Sequence, residues 1–154
     1  MTQIYKQTIS VLVCVGTRPE AIKLAPVIQS LRALSEPVKV IVCLTGQHSG
    51  ACEQILELFG IEADEHLNYE SSRHDLPSKT SDILVSISDC LTRLQPQAVV
   101  AQGDTTTVLA AAMASFYAQV PFFHVEAGLR SGIINSPFPE EMNRQLADRL
   151  ATRL

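Results

Sequence analysis

Four polar clusters lie beside apolar runs or open helices, and each carries side chains that could do chemistry. Gly16-Thr17-Arg18 follows a β-branched run and opens a helix, where unpaired N–H groups and the positive end of the dipole favour an anion. Arg18 adds a forked cation and Lys23, one turn further on, a second positive charge; together they suit a diphosphate. The same residues also read as a capped helix with a surface arginine. Gly103-Asp104-Thr105 follows another apolar run, where Asp104 can cap the next helix, aim its carboxylate into a crevice, or do both. His124-Val125-Glu126 places a histidine and a carboxylate on one side of a strand, at period two. A charge there is costly unless paired or functional, and the plainer alternative is a Glu126–Arg130 ion pair with His124 hydrogen-bonded in the core. Pro137-Phe-Pro139-Glu140-Glu141-Met-Asn143-Arg144 opens a last helix, whose dipole by itself favours both glutamates. Gathered around one crevice, Asp104, Glu126 and Glu140 would raise one another's pKa, so that one could be acid and another base near neutral pH. Cations suited to a diphosphate, beside carboxylates suited to proton transfer, point to chemistry on a nucleotide-activated sugar.

What would gather them is an alternation of strands and helices. Ile9–Val15, Val38–Leu44, Ala98–Ala101 and Phe122–Val125 are apolar runs without alternation, as in strands covered on both faces. Between them lie segments of helical period: one opened by the Thr17/Glu20 capping box, then Cys52–Phe59, Lys79–Leu94 and Thr105–Gln119. A last helix steps through Met142, Leu146 and Leu150 with no stop signal before Leu154, so the chain reads as part of a larger protein. Residues 61–76 are polar and read as a loop with at most a short edge strand. The pattern predicts an α/β fold, a Rossmann-like doubly wound parallel sheet with helices on both faces. Ligands in such folds sit outside the carboxyl ends of the strands, where Gly16-Thr-Arg18, Gly46-Gln-His48, Gly103-Asp-Thr105 and His124-Val-Glu126 fall. Neither GxGxxG for a dinucleotide nor GxxxxGK[ST] for a P-loop is present.

Composition narrows the classes further. At 154 residues the chain is about one domain, and 46% apolar against 18% charged residues argues against disorder. A net charge of −4 and a pI near 5.5 argue against a nucleic-acid or anionic-membrane binder. No apolar run approaches the roughly 20 residues of a membrane-spanning helix, and Met1–Gln7 lacks the shape of a signal peptide. Cys14, Cys43, Cys52 and Cys90 never form CxxC and read as reduced, buried thiols of a cytoplasmic protein, without a metal site.

The words Val15-Gly-Thr-Arg-Pro-Glu-Ala-Ile-Lys23-Leu-Ala-Pro26, Thr45-Gly-Gln-His48, Gly103-Asp-Thr-Thr-Thr107, His124-Val-Glu-Ala-Gly-Leu-Arg130 and Ser136-Pro-Phe-Pro-Glu-Glu-Met-Asn-Arg144 follow one another in this order. Together they closely resemble the non-hydrolysing UDP-N-acetylglucosamine 2-epimerases, over nearly the whole chain. The resemblance implies one half of a GT-B-like two-domain architecture, with residues 1–154 as an incomplete N-terminal Rossmann-like domain and the C-terminal UDP-binding domain absent. It implies interconversion of UDP-GlcNAc and UDP-ManNAc by anti elimination of UDP through 2-acetamidoglucal, with no metal or redox cofactor. Carried onto this sequence, the catalytic residues are Asp104, Glu126 and Glu140, and the substrate contacts Arg18, Lys23, Gln47, His48 and Arg144. The expected setting is cytoplasmic, the complete protein a homodimer that binds neither nucleic acid nor membrane, and this piece alone inactive. Ser49-Gly50 depart from the His-Arg more common in the family, near where bacterial members hold a second, activating nucleotide sugar. A hydrolysing relative that releases ManNAc and UDP is the nearest alternative, opposed by Thr105 where such relatives usually carry arginine. A non-catalytic nucleotide-sugar binding domain and a glycosyltransferase half share the fold class.

Overall fold

The computed structural model describes residues 8–46, 49–67 and 75–154. Five strands, β1 (Ile9–Val15), β2 (Val38–Leu44), β3 (Glu65–His66), β4 (Ala98–Gln102) and β5 (Phe122–Val125), form one parallel sheet in the order β3-β2-β1-β4-β5. Between and after them run α1 (Arg18–Arg32), α2 (Ser49–Leu58), α3 (Leu76–Leu94), α4 (Thr106–Ala118) and α5 (Glu140–Leu150). The chain winds outward from β1 to β3, then returns across to β4 beside β1, so its direction reverses between those two strands. That reversal leaves a crevice at their carboxyl ends.

Alternating side chains of the buried strands serve two cores. Val11, Val13 and Val15 of β1 pack with Ala21, Leu24 and Ile28 of α1 and Leu56 of α2. Leu12 and Cys14, pointing the other way, pack with Ile83 and Ile87 of α3, Val108 of α4 and Ala147 of α5. Helices therefore cover both faces, as the unalternating apolar runs predict. Helix α4 packs against both α3 and α5 and is buried almost all round, and its run of alanines suits the position. Cys14 and Cys43 sit opposite one another in register, and all four thiols are free and buried. Hydrogen bonding to Cys14 raises the Cys43 thiol, and bonding to Cys43 with burial raises that of Cys90, which keeps both protonated and unreactive.

Several boundaries differ from the sequence pattern. Helix α3 begins at Leu76, earlier than its apolar spacing indicates, because Asp75 accepts the Ser78 N–H at 2.9 Å and caps it. The last helix does stop, at Leu150. Ala151 is extended, the Thr152 N–H donates to the Phe122 carbonyl at 2.8 Å, and the His124 N–H donates to the Arg153 carbonyl at 3.0 Å. The unpaired edge of β5 captures the chain there, a non-local stop that no residue spacing within the helix records.

Candidate active site

A cleft of about 520 Å³ opens at the carboxyl ends of β1, β4 and β5. Thr17, Pro19, Glu20 and Lys23 reach it from the start of α1, and Gln102, Gly103, Asp104 and Thr105 from the turn between β4 and α4. Glu126 and Leu129 come from the segment after β5, and Arg144 from α5. The cleft thus lies at the reversal of strand order, the place the α/β topology reserves for ligands.

Asp104 does not cap α4. The cap position belongs to Thr105, whose side chain makes no capping bond. Instead Arg144 donates to Asp104 Oδ2 at 2.6 Å, and Asn143 Nδ2 donates to the Asp104 carbonyl at 2.9 Å. Arg144 is buried and also donates to the Leu129 carbonyl at 2.7 Å and to Glu141 at 3.0 Å, so its guanidinium is fixed on three sides. Asp104 itself keeps 30% of its side chain exposed. A charge-assisted bond to a locked arginine orients the carboxylate while leaving it open to a ligand.

Glu126 holds the other carboxylate. Strand β5 ends at Val125, and Glu126 takes a left-handed backbone with φ +60°. The period-two alternation therefore breaks, and Glu126 does not share a side with His124. His124 turns inward beneath the β4–α4 turn, whereas Glu126 meets Lys23 of α1 at 2.5 Å and also accepts from the Gln102 amide. The Glu126–Arg130 pair read from the sequence does not form, since Arg130 pairs with Asp148 instead. Left-handed backbone at a non-glycine residue is uncommon; Gln95 and Gln119 adopt it where helices end, whereas Glu126 adopts it in the cleft.

The start of α1 differs from a phosphate cradle. Glu20 folds back so that its Oε2 accepts the Gly16 N–H at 2.6 Å and the Thr17 N–H at 3.0 Å, while Thr105 donates to its Oε1 at 2.6 Å. The capping box is present as the Thr17/Glu20 spacing predicts, yet it consumes the N–H groups that an anion would use. Burial pushes the Glu20 carboxyl above its ordinary value, against the lowering effect of the Thr105, Gly16 and Thr17 bonds. Arg18 is exposed at the first position of α1 and lies outside the cleft lining. Glu140, at the first turn of α5, is half-buried and also outside it. Its neighbour Glu141 is the buried one, held below the ordinary carboxylate range by the Gln145 amide, the Ser131 N–H and Arg144. Gln47 and His48 lie outside the described residues.

Of the residues singled out in the sequence, the cleft brings together Asp104, Glu126, Lys23 and Arg144. Glu20 and Gln102 join them unannounced, because an acidic residue at a third helical position and a polar strand end look like ordinary capping and edge chemistry. Among the described residues no three His, Cys, Asp or Glu side chains are grouped to hold a metal, and no helix is long and apolar enough to cross a membrane.

Residues 32–154 match a family model described as UDP-N-acetylglucosamine 2-epimerase. The UDP-N-acetylglucosamine 2-epimerase of Salmonella borreze is 45% identical over 141 residues, covering 92% of this chain and 37% of that protein. The enzyme of the same name from Escherichia coli K12 is also 45% identical, with the same 92% and 37% covered. A crystal structure of UDP-GlcNAc 2-epimerase from Neisseria meningitidis bound to UDP-GlcNAc superposes with a TM-score of 0.89 at 44% identity, over 93% of this chain and 39% of that one. The chain spans about two fifths of the length of the relatives it matches. Sequence and backbone agree over nearly its full extent, and the chain belongs to the UDP-N-acetylglucosamine 2-epimerase family.

Proposed function

We propose that this chain supplies the proton-transfer half of an active site that converts UDP-GlcNAc to UDP-ManNAc without net hydrolysis. The observation that carries this reading is the pair Asp104 and Glu126. They stand at the carboxyl ends of neighbouring strands, in one cleft, each paired with its own cation. In the reaction, one carboxylate takes the proton from sugar C2, electrons move into a C1–C2 double bond, and the C1–oxygen bond to UDP breaks on the opposite face. The intermediate is 2-acetamidoglucal. UDP oxygen then adds back to C1 while a proton reaches C2 from the other side. Inversion needs proton routes on both faces of the ring, which two carboxylates rooted on different strands can provide. Glu140 would join them if substrate or further chain drew the start of α5 inward.

Lys23 and Arg144 fix the carboxylates, and Lys23, half exposed in the cleft, offers positive charge to a departing diphosphate. The self-capped start of α1 leaves few N–H donors for that diphosphate. This supports a second domain as the main holder of UDP, with residues 1–154 as the N-terminal domain. Escape of UDP or of the glucal would amount to hydrolysis, so the two domains must close over both. The test is product analysis with the whole protein that carries this chain. UDP-ManNAc appearing without matching free UDP and ManNAc is expected. Stoichiometric UDP and ManNAc would assign a hydrolysing enzyme instead, and unconsumed UDP-GlcNAc would remove the epimerase reading.

A further inference from the structure

Asp104 is gripped through its backbone as well as its side chain, and the grip leads into a buried polar cluster behind the cleft. His124, on β5, is fully buried. Its Nε2 lies 2.6 Å from the carbonyl oxygen of Gly103, the residue before Asp104. Its Nδ1 lies 2.5 Å from Asp148 Oδ1 on α5. A carbonyl oxygen only accepts, so Nε2 donates to Gly103, while Nδ1 pairs with the Asp148 carboxyl group. Asp148, 7% exposed, takes Arg130 on its other oxygen.

Burying a polar ring is costly unless its nitrogens are bonded, and an apolar side chain would fill the same space at less cost. What the ring holds explains its presence. Gly103 adopts φ +87°, a conformation open to several alternatives in a residue without Cβ. Its N–H donates to the Val125 carbonyl at 3.0 Å, and its carbonyl receives His124. The next carbonyl, of Asp104, receives Asn143 at 2.9 Å. Both peptide units flanking the Asp104 Cα are thereby fixed, and only its side-chain torsions are left for Arg144 to set.

We propose that His124, oriented by Asp148, is a positioning residue that fixes the Gly103–Asp104 peptide and so aims the Asp104 carboxylate into the cleft; this rests on the reading of Asp104 as a proton-transfer group. The first test needs no variant. In the unaltered chain, nitrogen-15 NMR should show His124 Nε2 carrying a slowly exchanging proton. A ring with no proton at Nε2 could not donate to the Gly103 carbonyl and would overturn the proposal. The second test is Asp148→Asn in the whole protein. With folding intact, kcat for epimerisation should fall about 10- to 100-fold while KM stays within about twofold, the signature of a misaimed group rather than of lost binding. An unchanged kcat in the folded variant would overturn the positioning role. A wild-type protein that turns over no UDP-GlcNAc would sink the epimerase reading and this role together, whereas an unprotonated Nε2 sinks this role alone.

Discussion

Glu126 sits in a backbone conformation that a glycine would adopt more easily, and yet its carboxylate is held by Lys23 and Gln102. The Lys23 pair is half exposed on both sides, so its worth to folding is about 0–1 kcal/mol. Strain at this residue is thus supported by little stabilisation, which fits a role in chemistry. Glu126→Gln and Asp104→Asn should each lower kcat by about 10²- to 10⁴-fold while leaving the thermal midpoint within a few degrees. Activity retained in either variant would remove that residue from the mechanism. Glu20 makes a different prediction. Its folded pKa is raised by burial above 4.5, so between that value and its folded pKa the native state binds more protons than the unfolded one. Stability contributed by Glu20 must therefore fall as pH rises through that window. Urea midpoints of wild type measured against Glu20→Gln should diverge in that direction above pH 4.5, and a constant difference at every pH would refute it.

At the scale of the element, the turn from β1 into α1 is set by close approach. A Cβ added at Gly16 would lie 2.1 Å from Thr107 Oγ1, 2.9 Å from Thr107 Cβ and 3.0 Å from Thr45 Oγ1. Both threonines are buried, and their hydroxyls share a 2.9 Å hydrogen bond between the end of β2 and the first turn of α4. Neither can move aside cheaply. Gly16→Ala should cost about 1–3 kcal/mol, read as a lower denaturant midpoint at unchanged slope; full stability in the variant would contradict this packing. Elements of this kind were largely legible in advance. The apolar runs of β1, β2 and β5 bound those strands, and Thr17 with Glu20 marks the start of α1. What escaped the sequence depended on distant partners. The side taken by Glu126 turns on a left-handed residue that no glycine announces. The aim of Glu20 depends on Thr105 in another loop, and the end of α5 on an edge of β5. Asp148 passes in the sequence for one more charge on a polar helix face, and only the fold brings it to His124.

For the whole molecule, two apolar cores on either side of one parallel sheet make a rigid base, and the cleft occupies the crevice this winding creates. Side chains mounted on strand ends and helix starts are held more firmly than on free loops. The chain covers about two fifths of the length of its relatives, and the proposal assigns proton transfer to this part and nucleotide binding to the rest. UDP-GlcNAc incubated in D2O with the whole protein, followed by mass spectrometry of the recovered sugar nucleotides, decides whether this cleft moves the C2 proton. A gain of one mass unit on the sugar, with UDP-ManNAc appearing and both lost in Asp104→Asn, is the expected result. No deuterium at C2 in the wild type, or undiminished exchange in Asp104→Asn, would contradict the account.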